Sequence, residues 1–489
     1  MLFNSHIFML LFLPLLLAGW YFLNWKKKFQ LAQGYLIGMS LWFYAYANLQ
    51  YLWLLLFSCL IGWLLSCLPE KIFSEKGKKV LTGVGCVFHL GLLGYFKYSN
   101  FFLENLNTVF HTDFPMLQIL LPVGISFYTF QQLAYLIDRC RGDAPRDSFF
   151  DYLTFMVYFP QLLQGPILLR SEFMGQLKEP ERRRFHAERF SEGIQFFVFG
   201  LAKKVLLADT LAKAVNYGYS NVSMLDSISA LLLAVGYLTE LYFDFSGYCD
   251  MAVGLGKMIG LEVAENFDAP FHSASVKEFW RRWHMTLGRF FTRYVYIPLG
   301  GNRRGKMRTL CNVMIVMLLS GLWHGAAWTF VLWGFLHGVG MIWDNLEHPH
   351  LPKKWMRQAA TFAYVCMTFV FFRAESIAQG VDVLKSIVSL KWNGFVFQMA
   401  SALDMTECYM ITKALSMKLP GLLSWFWLGI FVVLIAICFR VLSGEKVSGV
   451  VALQRQKGYS RLYPVLLAVL FTWSMISMTG VSEYLYFSF

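Results

Sequence analysis

Two histidines carry the clearest chemical signal in this sequence. His324 lies inside the apolar run from Met314 to Phe335. A titratable side chain in such a run is costly in lipid, so it faces a bundle interior or a water-filled cavity. Imidazole has an unperturbed pKa of about 6.5 and can accept and return a proton near neutrality. We therefore consider His324 a candidate general base, with small neighbours that would leave room for a substrate: Gly321, Gly325, Ala326 and Ala327. The alternative is a core histidine bonded to a neighbouring helix.

His284 precedes His324 by 40 positions (324 − 284) and lies in a cationic segment rich in tryptophan. Taken alone, it is typical of a histidine at the membrane interface, and Trp280 and Trp283 would be interfacial aromatic residues. From Lys277 to Arg308 there are nine basic residues and one acid. These charges could set topology and contact lipid headgroups, or they could bind the phosphates of a donor such as coenzyme A. The candidates for phosphate binding are Arg281, Arg282, Arg303 and Arg304.

Two carboxylates, Asp244 and Asp250, lie six residues apart (250 − 244) in another apolar stretch, on either side of Ser246. A carboxylate at membrane depth must be paired, protonated or solvated in a cavity. Asp244 and Asp250 could line a funnel or form ion pairs with the arginine-rich block, and Asp244 and Ser246 are candidates for donor or substrate binding. Gln161 lies in the stretch 149–169, which proline and glycine interrupt, so it could shape a broken helix or contact substrate.

These residues need a membrane scaffold to position them. The chain has 489 residues, 57% of them hydrophobic and 15% charged, against roughly 45–50% and 25% in soluble domains. This composition predicts an all-α polytopic membrane protein and excludes a disordered chain, a disulfide scaffold and a DNA-binding module. A spanning helix needs about 20 mostly apolar residues. The predicted spans are 7–24, 32–48, 51–68, 80–98, 118–137, 226–243, 309–322, 327–343, 358–372, 423–440 and 462–479.

The distribution of basic residues predicts the orientation. Lys26, Lys27 and Lys28 follow the first apolar stretch, so we interpret it as a transmembrane helix with an outer N-terminus rather than as a cleavable signal. Threading the remaining spans between the basic loops gives an even number of crossings and two extracytoplasmic termini. The nine cysteines show no metal-ligand spacing, so we expect neither a metal site nor a disulfide framework.

Six longer strings are more specific than a lone histidine: Met1–Phe8, Leu121–Phe130, Tyr158–Ile167, Tyr242–Ala252, Phe279–Leu287 and Gly321–Trp328. They resemble the membrane-bound O-acyltransferase family, and in particular its bacterial alginate O-acetyltransferase branch. The resemblance covers residues 1–344 and extends to the chain's ending. The D-alanyl transferase branch, which modifies teichoic acids, shares the Trp-His-Met segment, but Tyr296–Arg303 is closer to the alginate type.

The resemblance implies one integral-membrane domain over 1–489, with C-terminal helices over 358–479 and a tail over 480–489. About 11–12 spanning or re-entrant helices would surround a funnel with catalytic His324 at its narrow part. His284 would be the second catalytic family position, and Trp283 and Trp323 would contribute to donor or substrate binding. It implies acetyl-coenzyme A as a cytoplasmic donor substrate, with no bound cofactor, and the bacterial inner membrane as the location. The acceptor would be an extracytoplasmic polysaccharide such as alginate, with peptidoglycan, cellulose or D-alanyl transfer to teichoic acid as alternatives.

The resemblance also implies partners: a periplasmic SGNH-type acetyltransferase or esterase, and a polysaccharide synthesis complex. The chain ends in an aromatic-rich segment whose Tyr486 could accept the acyl group or could be an interfacial anchor. From another class, a transporter of a polar lipid or glycan would also be polytopic with broken helices, although the two halves show no inverted repeat. A scaffold for polysaccharide synthesis is a third alternative.

Overall fold

The computed structural model describes residues 1–67, 74–346, 352–442, 446–457, 462–478 and 484–485. Within these ranges every regular element is helical, as predicted. The helices of the first half are α1 (Leu13–Trp25), α2 (Phe29–Asn48), α3 (Leu52–Cys67), α4 (Glu75–Leu93), α5 (Ser99–Phe110), α6 (Ile125–Arg141), α7 (Phe149–Val157), α8 (Phe159–Leu162), α9 (Arg170–Lys178), α10 (Ala187–Ala202) and α11 (Asp209–Ser220).

The second half begins with the longest helix of the described chain, α12 (Ser227–Ile259), which has 33 residues. The following helices are α13 (Val276–Arg282), α14 (Met285–Phe291), α15 (Lys306–His324), α16 (Trp328–Asn345), α17 (Lys354–Arg373), α18 (Ile377–Val388), α19 (Phe395–Ser401), α20 (Tyr409–Lys418), α21 (Pro420–Leu442), α22 (Val447–Lys457) and α23 (Leu462–Ser477).

Six helical stretches of the described chain are long and apolar enough to cross a membrane: Phe8–Trp25, Leu49–Cys67, Glu75–Phe110, Ser227–Ile259, Lys306–His324 and Pro420–Leu442. Each of the predicted spans coincides with a helix, so the polytopic all-α class is confirmed, while the number of crossings stays a prediction. One boundary was wrong, because residues 115–122 have no regular secondary structure and α6 begins only at Ile125.

The broken segment 149–169 was predicted correctly. Here α7 ends at Val157, the single turn α8 follows, and irregular backbone leads to α9. Gly165 is required, since a Cβ there would lie 2.3 Å from the carbonyl oxygen of Pro160. The irregular residues are buried, which agrees with the rule that non-helical backbone at membrane depth must be covered by protein.

The chain packs into two compact units, and the prediction of a single domain over 1–489 stays a prediction. The first unit comprises Met1–Phe197, Cys249–Glu265 and Thr286–Pro298. Its core contains an aromatic cluster in which Phe8 and Phe43 pack against Phe159 of the broken segment. Tyr158 donates a hydrogen bond of 2.8 Å to the carbonyl oxygen of Leu261, which fixes that segment to the end of α12.

The second unit comprises Val198–Tyr248, Asn266–Met285 and Leu299–Phe489. Its helices α15 and α16 pack very closely because glycines face each other across them. A Cβ on Gly321 would lie 2.3 Å from the carbonyl oxygen of Phe330, and one on Gly334 would lie 2.4 Å from that of Met317. This contact fixes the C-terminal end of α15, where His324 lies.

Candidate active site

His324 is the last residue of α15, and only 3% of its surface is exposed. The chain turns at residues 325–327 before α16 begins. Aromatic rings surround the imidazole, with centroids 5.1 Å away for Trp333 of α16 and 5.2 Å away for Phe372 of α17. The indole of Trp323 lies 4.9 Å away. The protein therefore holds this imidazole in an aromatic pocket that excludes bulk water, where a base needs no solvent rearrangement to act.

His284 lies at the sharp turn between α13 and α14, and its surface is fully buried. Its φ of +46° is in the left-handed region, which non-glycine residues seldom occupy and which is concentrated at functional sites. Two backbone hydrogen bonds, each 2.9 Å long, hold the turn. The amide of Met285 donates to the carbonyl of Asn266, and the amide of Asp268 donates to the carbonyl of Arg282.

The side chain of Asn266 also sets the protonation of His284. Its Oδ1 lies 3.2 Å from the His284 Nδ1. An amide oxygen only accepts, so Nδ1 carries the hydrogen and Nε2 carries the lone pair. Burial lowers the pKa of His284, which lies outside the six candidate spans, to about 3. The ring is therefore neutral near pH 7.

The two imidazoles are brought together, with ring centroids 6.3 Å apart. Trp323 adjoins both, since its ring lies 5.9 Å from that of His284. Phe245 of α12 covers another side of His284 at 4.8 Å. Two imidazoles this close to each other suit a reaction that moves a proton while an adjacent bond is made or broken.

The glycines near His324 serve a different purpose from the one expected. Gly321 faces the backbone of α16, and a Cβ on Gly325 would lie 2.0 Å from the ring of Phe330. They allow close packing against α16, so the expectation that these two glycines make room for a substrate is wrong.

Trp283 also departs from the interfacial prediction, since it is 1% exposed and its ring stacks on Phe279.

The arginine-rich block separates into paired and exposed members. Arg282 forms a 3.0 Å ion pair with Glu278. In the first unit, Arg289 pairs with Glu172, and Arg293 lies 3.0 Å from Asp138. Arg281, Arg303, Arg304 and Arg308 are exposed, as are the two lysines of the block, Lys277 and Lys306. The block therefore serves partly to hold the fold together, and its exposed arginines are the ones that a phosphate could approach.

Asp244 is paired with a lysine rather than with the arginine-rich block. Its Oδ1 lies 2.5 Å from the Nζ of Lys204, which also lies 2.8 Å from Asp209. Asp244 and Lys204 are each 1% exposed. The close approach of Gly247 to Gly200, where a Cβ would lie 2.7 Å from the carbonyl oxygen, brings α12 near enough to α10 for this pair. A buried ion pair is costly to break, because the remaining charge is left uncompensated.

The C-terminal end of the described chain is attached to this ion pair. The amide of Leu485 donates a 3.0 Å hydrogen bond to the Oδ2 of Asp244. Tyr484 is fully buried, and the Nζ of Lys204 lies 4.6 Å from its ring centroid. Tyr486 lies outside the described residues.

The remaining predicted residues are buried. Ser246 is 2% exposed, and its Oγ has no hydrogen-bond partner within the described ranges. Gln161 belongs to the first unit, is 1% exposed, and donates a 2.5 Å hydrogen bond to the carbonyl of Phe155. Neither observation assigns a substrate contact, so both stay predictions.

The sequence analysis missed Asn266, Lys204 and His337. His337 is fully buried, with its Nδ1 accepting from the Trp280 indole at 3.2 Å and its Nε2 lying 2.9 Å from the Thr368 hydroxyl. Both of its nitrogens thus have structural partners, unlike a base that must be available to substrate. A lysine inside an apolar stretch was a usable signal for Lys204, whereas nothing local distinguished Asn266.

Comparisons with known proteins show the family of this chain. A profile described as "MBOAT, membrane-bound O-acyltransferase family" matches residues 141–375, which include both histidines. A peptidoglycan O-acetyltransferase of Helicobacter pylori is 35% identical over 80% of this chain and 80% of its own length. A probable alginate O-acetylase of Azotobacter vinelandii is 39% identical over 77% of this chain and 76% of its own. A teichoic acid D-alanyltransferase of Streptococcus thermophilus is 28% identical over 49% of this chain and 58% of its own length.

The chain is therefore a multi-pass membrane enzyme that transfers acyl groups to oxygen. It belongs to the membrane-bound O-acyltransferase family and to the branch that contains the alginate O-acetylases.

Proposed function

We propose that this enzyme moves an acetyl group from a cytoplasmic thioester, acetyl-coenzyme A, toward an extracytoplasmic polysaccharide, with His324 as the general base. The observation that carries the proposal is the buried pair of imidazoles, 6.3 Å apart between aromatic walls. Support for acetyl comes from the similarity to two kinds of O-acetylating protein over more than three quarters of the chain. The D-alanyltransferase matches over a smaller share.

The chemistry follows from what the residues can do. A hydroxyl is a weak nucleophile until a base removes its proton. His324 takes that proton as the oxygen attacks the thioester carbonyl, so a C–O bond forms and the C–S bond breaks. The imidazolium then returns the proton to the departing thiolate. His284, neutral and held by Asn266, orients the reacting group, and transfer through the protein spares the charged donor from crossing lipid.

The donor would enter from the basic, cytoplasmic side, and both chain termini would be extracytoplasmic in the bacterial inner membrane. Exposed Arg303 and Arg304 supply charge for the donor phosphates. A periplasmic SGNH-type partner and a polysaccharide synthesis complex would receive the acetyl group.

Tyr486 is the proposed acceptor on this chain. Leu485, the residue before it, is hydrogen-bonded to Asp244, and the next residue of α12, Phe245, contacts His284. This contact holds Leu485 beside α12 near His284, which supports Tyr486 as the acceptor. A phenol of pKa about 10 needs a base to react near neutrality, and His324 would provide it.

Substituting Tyr486→Phe removes the hydroxyl while keeping the ring. We expect loss of polymer acetylation in cells, and an acetyl adduct on the C-terminal peptide of the wild-type protein by mass spectrometry. Tyr409→Phe, at an exposed tyrosine on α20, is the matched control. Normal polymer acetylation by Tyr486→Phe, with no adduct on wild type, would leave the C-terminus as an anchor only.

For the acceptor, alginate is the first candidate and peptidoglycan the second, since the peptidoglycan O-acetyltransferase aligns over 80% of both chains. Cellulose and teichoic acid are the further alternatives.

The proposal is tested by incubating membranes that contain the enzyme and its extracytoplasmic partner with acetyl-labelled coenzyme A and each polymer. We expect label in base-labile esters on one polysaccharide, whereas label that never leaves coenzyme A would refute the proposal.

A further inference from the structure

A cavity of about 740 Å³ lies within the second unit, its lining is largely apolar, and none of its lining residues is a histidine. One face of α21 forms a wall through Ile430, Val433, Leu434 and Ile437, which recur at helical spacing. The lining also includes Leu206 and Leu207, shortly before α11, and Leu470 of α23. Val433 and Ile437 are 57% and 46% exposed, so the cavity is an open groove rather than a sealed void.

Basic side chains gather at one end of this groove. Arg440 lies in the last turn of α21, and Lys446 follows just before α22. Lys203 also contributes to the lining. Lys446 is 3.4 Å from Asp268, with both side chains about half exposed, a type of pair that contributes little to stability. Among the described residues that line the groove, the acidic one is Glu407, and it already accepts hydrogen bonds from Trp473 and Ser477 on α23.

The dimensions match one leaflet of a bilayer. Ile430 and Arg440 are ten residues apart on α21 (440 − 430), or about 15 Å at the helical rise. The hydrocarbon core of a bilayer is about 30 Å thick, so the apolar part of the groove has the depth of one acyl layer. Basic pockets between transmembrane helices on the cytoplasmic side are a known way to bind anionic lipid headgroups.

We propose that this groove is a binding site for one anionic glycerophospholipid of the cytoplasmic leaflet. The acyl chain lies along α21, and the phosphate lies between Arg440 and Lys446. The groove also has a connection to the active-site wall: Tyr242 lines it, and the ring of Tyr242 lies 6.1 Å from that of Trp283, the neighbour of His284. The bound lipid would contact Tyr242, whose ring adjoins Trp283.

The test uses the full-length protein, exchanged in mild detergent into phosphatidylglycerol or phosphatidylcholine of identical chains and examined by native mass spectrometry. We expect wild type to retain one phosphatidylglycerol molecule in preference to phosphatidylcholine. Arg440→Gln with Lys446→Gln should reduce that preference about tenfold or more, because each basic residue near the membrane surface contributes to anionic lipid binding. Lys353→Gln with Lys354→Gln, at exposed positions outside the groove lining, is the control for charge.

Substitutions in the apolar wall test the groove independently of charge. Val433→Trp should displace the lipid, whereas Val432→Trp, which is similarly exposed at 52% but does not line the groove, should retain it. A melting temperature for each variant shows that it is folded. Equal retention of both lipids by wild type, or of phosphatidylglycerol by every variant, would overturn the proposal. Displacement of phosphatidylglycerol by millimolar inorganic phosphate would also overturn it, since the groove would then be an anion site only.

Discussion

At the scale of single residues, the hydrogen bond from His284 to Asn266 determines which imidazole nitrogen carries the hydrogen. The amide oxygen holds the hydrogen on Nδ1 at 3.2 Å, and the unusual backbone of residue 284 is held by the carbonyl of the same asparagine. Asn266 is thus a positioning residue, because it acts through His284 rather than on substrate.

Asn266→Ala should lower kcat for acetyl transfer, by up to about 10²-fold, because small displacements of a positioned group are expensive in catalysis. The KM for acetyl-coenzyme A should change little, since no ground-state contact with the donor is removed. Asn221→Ala, which removes an amide hydrogen-bonded only locally to Tyr217, is the matched control. A raised KM with unchanged kcat would contradict the positioning role.

The sequence analysis could identify both histidines, because each is a titratable residue in an unusual context and lies in a long family string. It could not identify Asn266, which is 18 positions before His284 (284 − 266) in irregular backbone, because only tertiary folding brings the two together. The same holds for Lys204 and Asp244. They are 40 residues apart in the sequence (244 − 204), and their ion pair forms only because two helices meet. Local pattern shows which residues are unusual, whereas their partners depend on packing.

At the scale of elements, the position of His324 depends on how closely α15 approaches α16. Gly321 lies one turn before His324 and against the carbonyl oxygen of Phe330. Gly321→Ala should lower stability by about 1–3 kcal/mol, as added core volume does, and should also slow transfer by moving the end of α15. Thermal unfolding in detergent and the transfer rate would be measured on the same preparation.

The control for this substitution is Gly429→Ala in α21, where a Cβ meets nothing within 4 Å in the described part of the chain. Alanine is a better helix former than glycine by about 0.5–1 kcal/mol, so this variant should be as stable as wild type or more so. If Gly321→Ala behaves like Gly429→Ala, the close helix contact does not position the catalytic end of α15.

Helix positions were predictable from apolar run length because lipid permits few alternatives to a helix. The unpredicted feature was the use of small residues, since a glycine beside a histidine is compatible with either an open site or a close helix contact. Only the structure shows Gly321 and Gly325 facing α16.

At the scale of the whole molecule, the basic residues behind the net charge of +13 fall into two groups, those paired with carboxylates and those exposed. Part of the basic block is paired with carboxylates, whereas Arg303 and Arg304 are exposed. Arg303→Gln with Arg304→Gln should raise the KM for acetyl-coenzyme A with little change in kcat, because only a ground-state contact with the donor phosphates is removed. Lys353→Gln with Lys354→Gln is the control, and an unchanged KM together with lowered membrane expression would indicate that the two arginines serve topology.

The central claim is that His324 removes a proton during acyl transfer. The most direct measurement is the rate at which purified enzyme transfers labelled acetyl from acetyl-coenzyme A, compared between wild type and His324→Ala at matched amounts of folded protein. The account predicts a loss of about 10²–10⁴-fold, as for removal of a general base, with membrane expression and melting temperature near those of wild type. Transfer by His324→Ala at the wild-type rate would contradict the account.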